Sequence, residues 1–343
     1  MKRIAERLVW AIAVVWAVTT LAFFINNVLP SDPARMVAGP GARPADVDRI
    51  RKQLGLDQPV ASQYAHFMRR LVHFGPSAAD ESAGSAAGAP DEHASCASWG
   101  HLHVDLGKSY QLRRPVTTIL GERLPRTAML AAAALCVQLL LGVITGVIAA
   151  VKKGTRTDAG IVTLSLLGVS TPTFMLGIGL QYVFARRLKL LPLDGFGSTP
   201  SEQLASLVLP ALTLGIFGAA YYTRLVRDEM LVLLRQDYVR TARAKGVSSL
   251  RVVLVHALRN ALVPIVTVVA LDLGALVGGA VVTEALFRWP GIGALSVNAL
   301  LDRDGPVILG TVLVASTAIV LSNVAADLLY VVLDPRVRRI TDR

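Results

Sequence analysis

The sequence predicts an all-α integral membrane protein with six transmembrane helices, and three observations support this prediction. Hydrophobic residues make up 53% of the 343 positions and charged residues only 17%, whereas a typical soluble domain is about one quarter charged. The mean hydropathy is +0.53. The apolar residues are gathered into six runs of about 20 residues or more, the length that an α-helix needs to cross the hydrocarbon core.

The six runs contain few charged residues. They are Leu8–Leu29, Thr127–Val151, Ala159–Phe184, Leu204–Thr223, Ala261–Thr283 and Pro306–Leu333. The first run follows Lys2, Arg3 and Arg7, as the apolar part of a signal peptide would. It is too long for that part, however, and it ends without a small-x-small cleavage site. We therefore predict an uncleaved first helix.

Basic residues predict the orientation of the chain. They concentrate in the segments 1–7, 152–158, 224–260 and 334–343, while the short loops between these segments hold fewer. Cytoplasmic loops of membrane proteins carry the excess of Lys and Arg, so we predict that both termini are cytoplasmic. The cluster at 186–189 is a mild exception. The net charge of +11 is thus explained by membrane topology rather than by a nucleic-acid surface.

The predicted spans divide the chain into parts. These are the first helix (1–30), a long extracytoplasmic segment (31–126), a five-helix core (127–333) that includes the basic loop 224–260, and a cytoplasmic tail (334–343). Ala45 to Arg70 is predicted to be helical and amphipathic. The Ala-, Ser- and Gly-rich stretch at about 75–98 is predicted to be a flexible insertion.

Small residues and prolines indicate how the spans pack. Glycines recur at a spacing of four residues, at Gly142 and Gly146 and again at Gly274 and Gly278. This spacing favours close helix contacts in membranes, although glycine is also generally abundant there. Pro172, Pro210 and Pro264 lie within predicted spans, and each removes a backbone donor, so each predicts a kink or the start of a helix.

The sequence contains no recognisable enzyme motif. It lacks a Gly-x4-Gly-Lys-[Ser/Thr] phosphate loop, a His-Glu-x-x-His pair and a Gly-x-Ser-x-Gly elbow. His93, Cys96, His101 and His103 are residue types that bind metals, but their spacing matches no closed zinc site. We therefore predict no catalytic residue and no metal site, and we interpret these four residues as part of a polar, solvated segment.

The loop Asp237–Asn260 is the most informative stretch. Residues 238–245 are predicted to form a short helix that ends at Gly246, which suits a left-handed C-terminal cap. Ser248 or Ser249 can then cap the following helix. The result is a short basic helix parallel to the inner membrane face. A simple anchor on anionic lipid is the alternative, and it explains the charge but not the break at the glycine.

This loop resembles the cytoplasmic loop of the membrane permeases of dipeptide, oligopeptide and nickel ABC importers. The shared phrases are Asp-Tyr-Val-Arg-Thr-Ala-Arg-Ala-Lys-Gly at 237–246 and His-Ala-Leu-Arg-Asn-Ala-Leu at 256–262. The resemblance covers nearly the whole chain, with further matches at 32–35, 54–59, 105–107, 170–174, 283–293 and 334–338. The consensus of this cytoplasmic loop across ABC importers in general agrees with this chain only at Ala242, Gly246 and Leu258. The peptide group of importers departs from that general consensus in the same way.

The resemblance implies a type I ABC importer permease fold and two functional surfaces. The residues expected to couple the chain to an ATPase subunit are Arg240, Thr241, Ala242, Arg243, Ala244, Lys245 and Gly246. The residues expected in an outer loop that meets a binding protein, or that lies beside the gate, are Glu284, Phe287, Trp289, Pro290 and Gly291.

The resemblance also implies the partners and the cargo. The expected partners are a second homologous permease, two ATPase subunits, an extracytoplasmic substrate-binding protein and the bilayer of the cell inner membrane. We expect no cofactor in this chain, because the ATPase subunits would bind ATP and Mg²⁺. Di- or oligopeptides are the expected cargo, with nickel chelates, glutathione or oligosaccharides as alternatives. A self-contained channel or secondary transporter would need more ionisable residues deep in the spans than Asp272.

Overall fold

The computed structural model describes residues 2–28, 33–39, 41–53, 55–74, 96–99 and 101–333. The predicted tail at 334–343, most of the predicted insertion at 75–98 and His93 lie outside these described residues.

Helices make up most of the described chain. In order they are α1 (Lys2–Val28), α2 (Pro33–Ala38), α3 (Pro44–Gln53), α4 (Val60–Leu71), α5 (Val116–Val151), α6 (Arg156–Ser170), α7 (Thr173–Leu180), α8 (Pro200–Leu233), α9 (Asp237–Ala244), α10 (Ser249–Arg251), α11 (Leu258–Gly279), α12 (Val281–Leu286), α13 (Ile292–Leu301) and α14 (Gly305–Leu333). Helix α7 continues as a π-helical turn at Gln181–Arg187, and a second π-helical turn, Val252–Ala257, joins α10 to α11.

A small antiparallel sheet accompanies the helices, and we did not predict it from the sequence. It comprises β1 (His73–Phe74), β2 (Cys96–Trp99) and β3 (Leu102–Asp105), with β3 in the centre. Strand β3 pairs with β2 from Trp99 opposite Leu102 to Cys96 opposite Asp105. Strands of two to four residues are too short to show the alternation by which a strand is recognised in a sequence.

Five helical stretches are long and apolar enough to cross a membrane. They are Val9–Asn26, Val116–Val151, Pro200–Leu233, Ser249–Gly278 and Gly305–Tyr330, and they agree with five of the six predicted spans. The 36 residues of α5 measure about 54 Å at 1.5 Å per residue. This helix is therefore longer than the hydrocarbon core, which is about 30 Å thick.

The predicted third span differs from a single straight helix. Helices α6 and α7 are bent by 104° at the break between them, and the count of spans reaches six if this bent pair is one span. Pro172 explains the break because its ring keeps the preceding residue out of the helical region. Thr171 accordingly adopts an extended conformation, with φ −87° and ψ 124°, and α7 begins directly after the proline. Pro210 and Pro264 instead lie inside α8 and α11, and neither starts a helix.

The chain divides into two compact units. The first comprises Met1–Leu8, Thr127–Pro290 and Ala318–Arg343, and the second comprises Val9–Arg126 and Gly291–Thr317.

The core of the first unit is organised by close contact between α5 and α8. A Cβ atom added at Gly146 would lie 2.7 Å from Val226 Cβ and 2.8 Å from the Thr223 carbonyl oxygen. A Cβ added at Gly142 would overlap Tyr222. The predicted close contact of these glycines is therefore confirmed. Gly274 on α11 has the same role against α14, since its added Cβ would lie 2.5 Å from Ser322 Cβ.

Polar contacts within the first unit hold charged residues that lie in or near the spans. The Tyr222 hydroxyl donates to Asp272 Oδ2 at 3.2 Å. Arg7 Nη1 lies 2.8 Å from Asp327 Oδ2. Both carboxylates thus have partners within the chain, as carboxylates near the membrane interior usually do.

The second unit has its own apolar core and a hydrogen-bonded tie. Helices α5, α13 and α14 meet at a cluster of buried apolar side chains: Leu106, Val116, Ile119, Leu120, Ile292, Leu295, Ala299 and Val307. Beside this cluster, the buried Asp304 carboxylate accepts hydrogen bonds from the Ser109 hydroxyl at 2.5 Å and from the backbone N–H groups of Tyr110 and Gln111 at 3.2 Å each. The tie connects the loop after β3 to the turn before α14.

The contact between α5 and α8 predicts a strong effect of side-chain size at Gly146. We expect Gly146→Leu to lower stability by roughly 1–3 kcal/mol, the usual cost of adding volume to a packed interface. The midpoint of thermal denaturation in a mild detergent measures this change. Gly160→Leu is the matched control because no atom lies within 4 Å of an added Cβ there. Equal midpoints for the two variants would contradict the importance of this contact.

Candidate functional site

The candidate site is the helix α9 in the basic loop 224–260. Helix α9 is fixed to the rest of the chain by Val239, whose side chain is 0% exposed. Of the seven predicted coupling residues, Ala242 is half-buried, and the other six, Arg240, Thr241, Arg243, Ala244, Lys245 and Gly246, are exposed. One apolar side chain thus anchors the helix, while its basic and small residues face outward.

The C-terminal end of α9 forms a Schellman motif, the hydrogen-bonded cap that follows many helices. Gly246 has φ +77°, the left-handed conformation that was predicted for it. The backbone N–H of Val247 donates to the Ala242 carbonyl at 3.2 Å, and the N–H of Gly246 donates to the Arg243 carbonyl at 3.0 Å. The end of the helix and the direction of the following chain are therefore fixed by the backbone.

A set of polar contacts joins α9 to the segment that leads into α11. Asn260 Nδ2 donates to the His256 carbonyl at 2.8 Å and to the Tyr238 hydroxyl at 3.3 Å. The Tyr238 hydroxyl in turn donates to the same His256 carbonyl at 3.4 Å. These contacts connect the first turn of α9 to both sides of the junction between the π-helical turn and α11.

An ion pair holds the helix that precedes α9. Arg227 on α8 donates from Nε to Asp158 Oδ1 at 2.8 Å and from Nη2 to Asp158 Oδ2 at 3.1 Å. Asp158 lies in the first turn of α6, where a negative charge is favourable, and its side chain is 8% exposed against 21% for Arg227. Asp158 Oδ2 also accepts from the Gly154 N–H at 2.9 Å.

We did not predict this ion pair from the sequence. Arg227 lies in the basic segment 224–260 that predicts the orientation of the chain, and the sequence assigns no role to Asp158. The two residues are 69 positions apart, so local spacing gives no signal of the contact. The sequence shows only that Asp158 and Arg227 lie near the ends of two apolar runs, and this does not identify them as partners.

The predicted outer-loop residues lie together at the end of α12, and most are buried within the chain. Glu284, Phe287 and Trp289 are 0%, 2% and 0% exposed, Gly291 is buried and Pro290 is half-buried. The Thr127 hydroxyl donates to Glu284 Oε1 at 2.8 Å. The ring of Trp289 packs edge-on against that of Phe196, with centroids 5.0 Å apart.

This packing gives the outer-loop residues a structural role in the chain. The Gly195 N–H donates to the Phe287 carbonyl at 2.9 Å, which joins the loop before α8 to the turn after α12. Arg288, between two buried aromatic residues, keeps an exposed side chain. The prediction that this loop meets a binding protein remains a prediction.

The polar residues considered as metal ligands do not form a cluster in the part of the chain that the structure describes. There, no group of three or more His, Cys, Asp or Glu residues is placed to hold a metal ion. His103 is buried on β3, and its ring lies 5.5 Å from that of His73. His101 precedes β3, and Cys96 begins β2.

The apolar helices and the glycine contacts between them define a multi-pass transmembrane protein. The chain belongs to the family of binding-protein-dependent transport system inner membrane components, which it matches over residues 142–339. The N-terminal part of the same family matches residues 1–131.

Relatives with assigned names are similar along their whole length. A putative peptide transport system permease protein of Brucella abortus is 40% identical over 98% of both chains. The glutathione transport system permease protein GsiC of Escherichia coli O6:H1 is 36% identical over 98% of both chains. The probable D,D-dipeptide transport system permease protein DdpB of Escherichia coli K12 is 36% identical over 96% of both.

A solved structure shows the same fold. Inward-facing conformations of the MetNI methionine ABC transporter match this chain with a TM-score of 0.54 and 18% identity. The match covers 64% of this chain and 98% of the chain in that structure. At this identity the similarity establishes the fold alone.

Loss of the Asp158 charge should weaken the chain because Arg227 would lose its two-point partner. We expect Asp158→Asn to lower the midpoint of thermal denaturation, because Arg227 would keep its charge without the carboxylate that accepts two of its hydrogen bonds. Thermal denaturation in detergent measures the change. Asp228→Asn is the control, since the Asp228 side chain is 72% exposed and contacts the same arginine at 3.3 Å. A comparable loss of stability in both variants would contradict a stabilising role for the Arg227–Asp158 pair.

Proposed function

We propose that this chain is a permease subunit of an ATP-driven ABC importer and that it forms, with a second permease, the path of peptides through the inner membrane. The observation that carries the proposal is the exposure of six of the seven predicted coupling residues on a helix that the chain holds at both ends. Such a helix presents a basic surface of defined shape to a partner.

The proposed topology has six spans and both termini in the cytoplasm. In this topology, the bent pair of α6 and α7 counts as one span, and the basic segments 152–158 and 224–260 face the cytoplasm. The positive-inside rule supports this orientation. Helix α9 then lies on the cytoplasmic side, where an ATPase subunit can reach it.

Helix α9 would act as the coupling helix of the importer. Closure of the ATPase dimer on ATP would move α9, and the connected helices α8 and α11 would follow. The membrane path would then alternate between inward- and outward-open states. Thr241, Ala242 and Ala244 are small enough for close docking, and Arg240, Arg243 and Lys245 would pair with acidic groups of the partner.

The rigidity of this lever would come from the contacts that hold it. A motion of α9 is transmitted only if its ends do not unwind, and the Schellman motif at Gly246 and the Tyr238–Asn260 contact fix both ends. The Arg227–Asp158 pair would carry the motion of α8 to α6. These residues position the lever and do no chemistry.

The turn after α12 would meet the substrate-binding protein or lie beside the gate. Its buried residues Glu284, Phe287 and Trp289 would keep the shape of the turn constant. The exposed Arg288 and the half-buried Pro290 would then be available to a partner. We place this turn on the extracytoplasmic side because α11, which precedes it, starts from the basic loop.

Peptides are the proposed cargo. Relatives named for transport of peptides, of a D,D-dipeptide and of glutathione, itself a tripeptide, support this choice. Glutathione is the second candidate because one of these relatives carries that name. We propose that ATP and Mg²⁺ bind to two separate ATPase subunits, and that this chain carries no cofactor of its own.

Co-purification tests the proposed assembly. We expect the detergent-solubilised chain from its native membrane to bring down two ATPase subunits and a second permease, which mass spectrometry identifies. Arg243→Glu combined with Lys245→Glu should reduce recovery of the ATPase subunits severalfold, since like charges would then face each other. Arg235→Glu, in the same loop but outside α9, is the control. Recovery of the well-folded chain alone in several mild detergents would instead favour a self-contained transporter.

Substitution of Gly246 tests the proposed lever. An added Cβ meets no atom within 4 Å at this residue, so Gly246→Val changes only the backbone preference, at a cost of about 1–2 kcal/mol for a left-handed residue. We expect fewer peptides transported per ATP hydrolysed in proteoliposomes, while the complex still assembles. Gly246→Asn should transport nearly normally because Asn tolerates this conformation. A normal number of peptides transported per ATP hydrolysed in the Gly246→Val variant would contradict the proposed role of α9 as a lever.

A further inference from the structure

A cavity of about 370 Å³ lies within the second unit, and neither the coupling helix nor the turn after α12 contributes to it. Its walls come from α1, α3, α4, the loop after β3 and the start of α14. Sites for small molecules usually measure about 300–1,000 Å³. The cavity is therefore large enough for a small ligand, and most of its lining belongs to the segment that we predict to be extracytoplasmic.

Arg70 supplies a fixed positive charge to this cavity. Its Nε and Nη2 atoms donate to Asp105 Oδ2 at 3.0 and 2.6 Å. The other oxygen, Asp105 Oδ1, accepts from the Gly107 N–H at 2.7 Å, and the Asp105 side chain is only 4% exposed. Both oxygens of the carboxylate are thus engaged. The Arg70 side chain is 58% exposed, and its Nη1 donates to no described residue.

Lys52 adds a second positive charge at the end of α3. It lines the cavity, and its side-chain ammonium makes no hydrogen bond or salt bridge to any residue that the structure describes. Two neighbouring cations of the same helix differ in this respect, because Arg49 pairs with Asp46 at 2.9 Å and Arg51 pairs with Asp48 at 3.1 Å. With the Asp105 charge balanced by Arg70, the lining has an excess of positive charge.

The remaining lining combines apolar and neutral polar groups. The ring of Phe23 stacks on that of Phe67, with centroids 5.3 Å apart and an angle of 22° between the planes. Burial, with a smaller contribution from the negative charge of Asp304, raises the pKa of Tyr110 to about 12. The Tyr110 phenol therefore stays protonated at neutral pH and can donate a hydrogen bond. The other polar side chains of the lining are those of Asn26, Gln53, Gln58, Gln63 and His66.

We infer that this cavity is a site for the C-terminal carboxylate of a short peptide. Lys52 and Arg70 would hold the carboxylate, since charge-assisted hydrogen bonds are the strongest that such a group can form here. The Phe23 and Phe67 rings would contact an apolar side chain of the peptide. The inference rests on the proposed peptide cargo, and it adds a binding step on this chain itself, separate from capture by a binding protein.

The test compares trialanine with trialanine amide, which differ in the terminal carboxylate. Saturation-transfer NMR measures their binding to the intact permease–ATPase complex in lipid nanodiscs, without nucleotide and without binding protein. We expect trialanine to bind and its amide to bind at least about fivefold more weakly. Lys52→Gln should weaken trialanine binding by roughly threefold to tenfold, as loss of one partly exposed charged contact does, and Lys52→Arg should restore it.

Arg49→Gln is the matched control because it removes an equal charge from the same helix but does not line the cavity. Equal binding of trialanine and its amide, no binding of trialanine, or equal effects of Lys52→Gln and Arg49→Gln would each overturn the inference. A Lys52→Gln variant that binds trialanine normally but docks the binding protein more weakly would also overturn the inference. Lys52 would then contact a carboxylate of the binding protein rather than that of a peptide.

A separate measurement keeps the two proposals apart. ATP-dependent uptake of peptides by the complete importer, with its binding protein, tests the proposed function and does not depend on the cavity. Uptake with no trialanine binding to the complex overturns only the cavity site. Absence of any peptide uptake contradicts the proposed cargo, whatever trialanine does.

Discussion

The close contact between α5 and α8 is the constraint on which the first unit depends. Lipid is as apolar as a leucine side chain, so burial of apolar surface does not by itself bring membrane helices together. Association depends on close packing instead, and Gly142 and Gly146 allow the backbone of α5 to approach Tyr222, Thr223 and Val226. Helix α8 in turn carries Arg227 and leads directly into α9, so the position of the candidate site follows from this contact.

The candidate site combines exposure with rigidity, two properties that oppose each other in most loops. A short helix that is exposed on most of its surface buries little apolar area, and an isolated helix of this length is unstable in water. Helix α9 is held by a single buried valine, a Schellman motif and the Tyr238–Asn260 contact. Of the exposed basic side chains, Arg240 pairs only with the exposed Asp237 of the same helix, at 3.6 Å. These side chains therefore remain accessible to a partner protein.

In the turn after α12, by contrast, the residues that stand out in the sequence are mostly buried. Its sequence, with Phe287 and Trp289 beside Pro290 and Gly291, resembles a surface motif at a membrane interface. In the structure the aromatic residues are packed inward, and Trp289 lies against Phe196. The large apolar area of an aromatic ring makes burial favourable wherever the chain offers a partner. The residues that mark this turn in the sequence therefore stabilise it.

The sequence by itself determined the helical class, five of the spans, the short helix of the basic loop and its glycine cap, because each depends on composition or on residues close in the chain. It also indicated the break at Pro172, whose ring acts on its immediate neighbour. Only the tertiary structure decided the 104° bend, the Arg227–Asp158 pair, the burial of Glu284 and Trp289, and the cavity beside Arg70. Each of these joins residues from separate helices or loops, and their meeting depends on how whole helices pack, which local spacing does not encode.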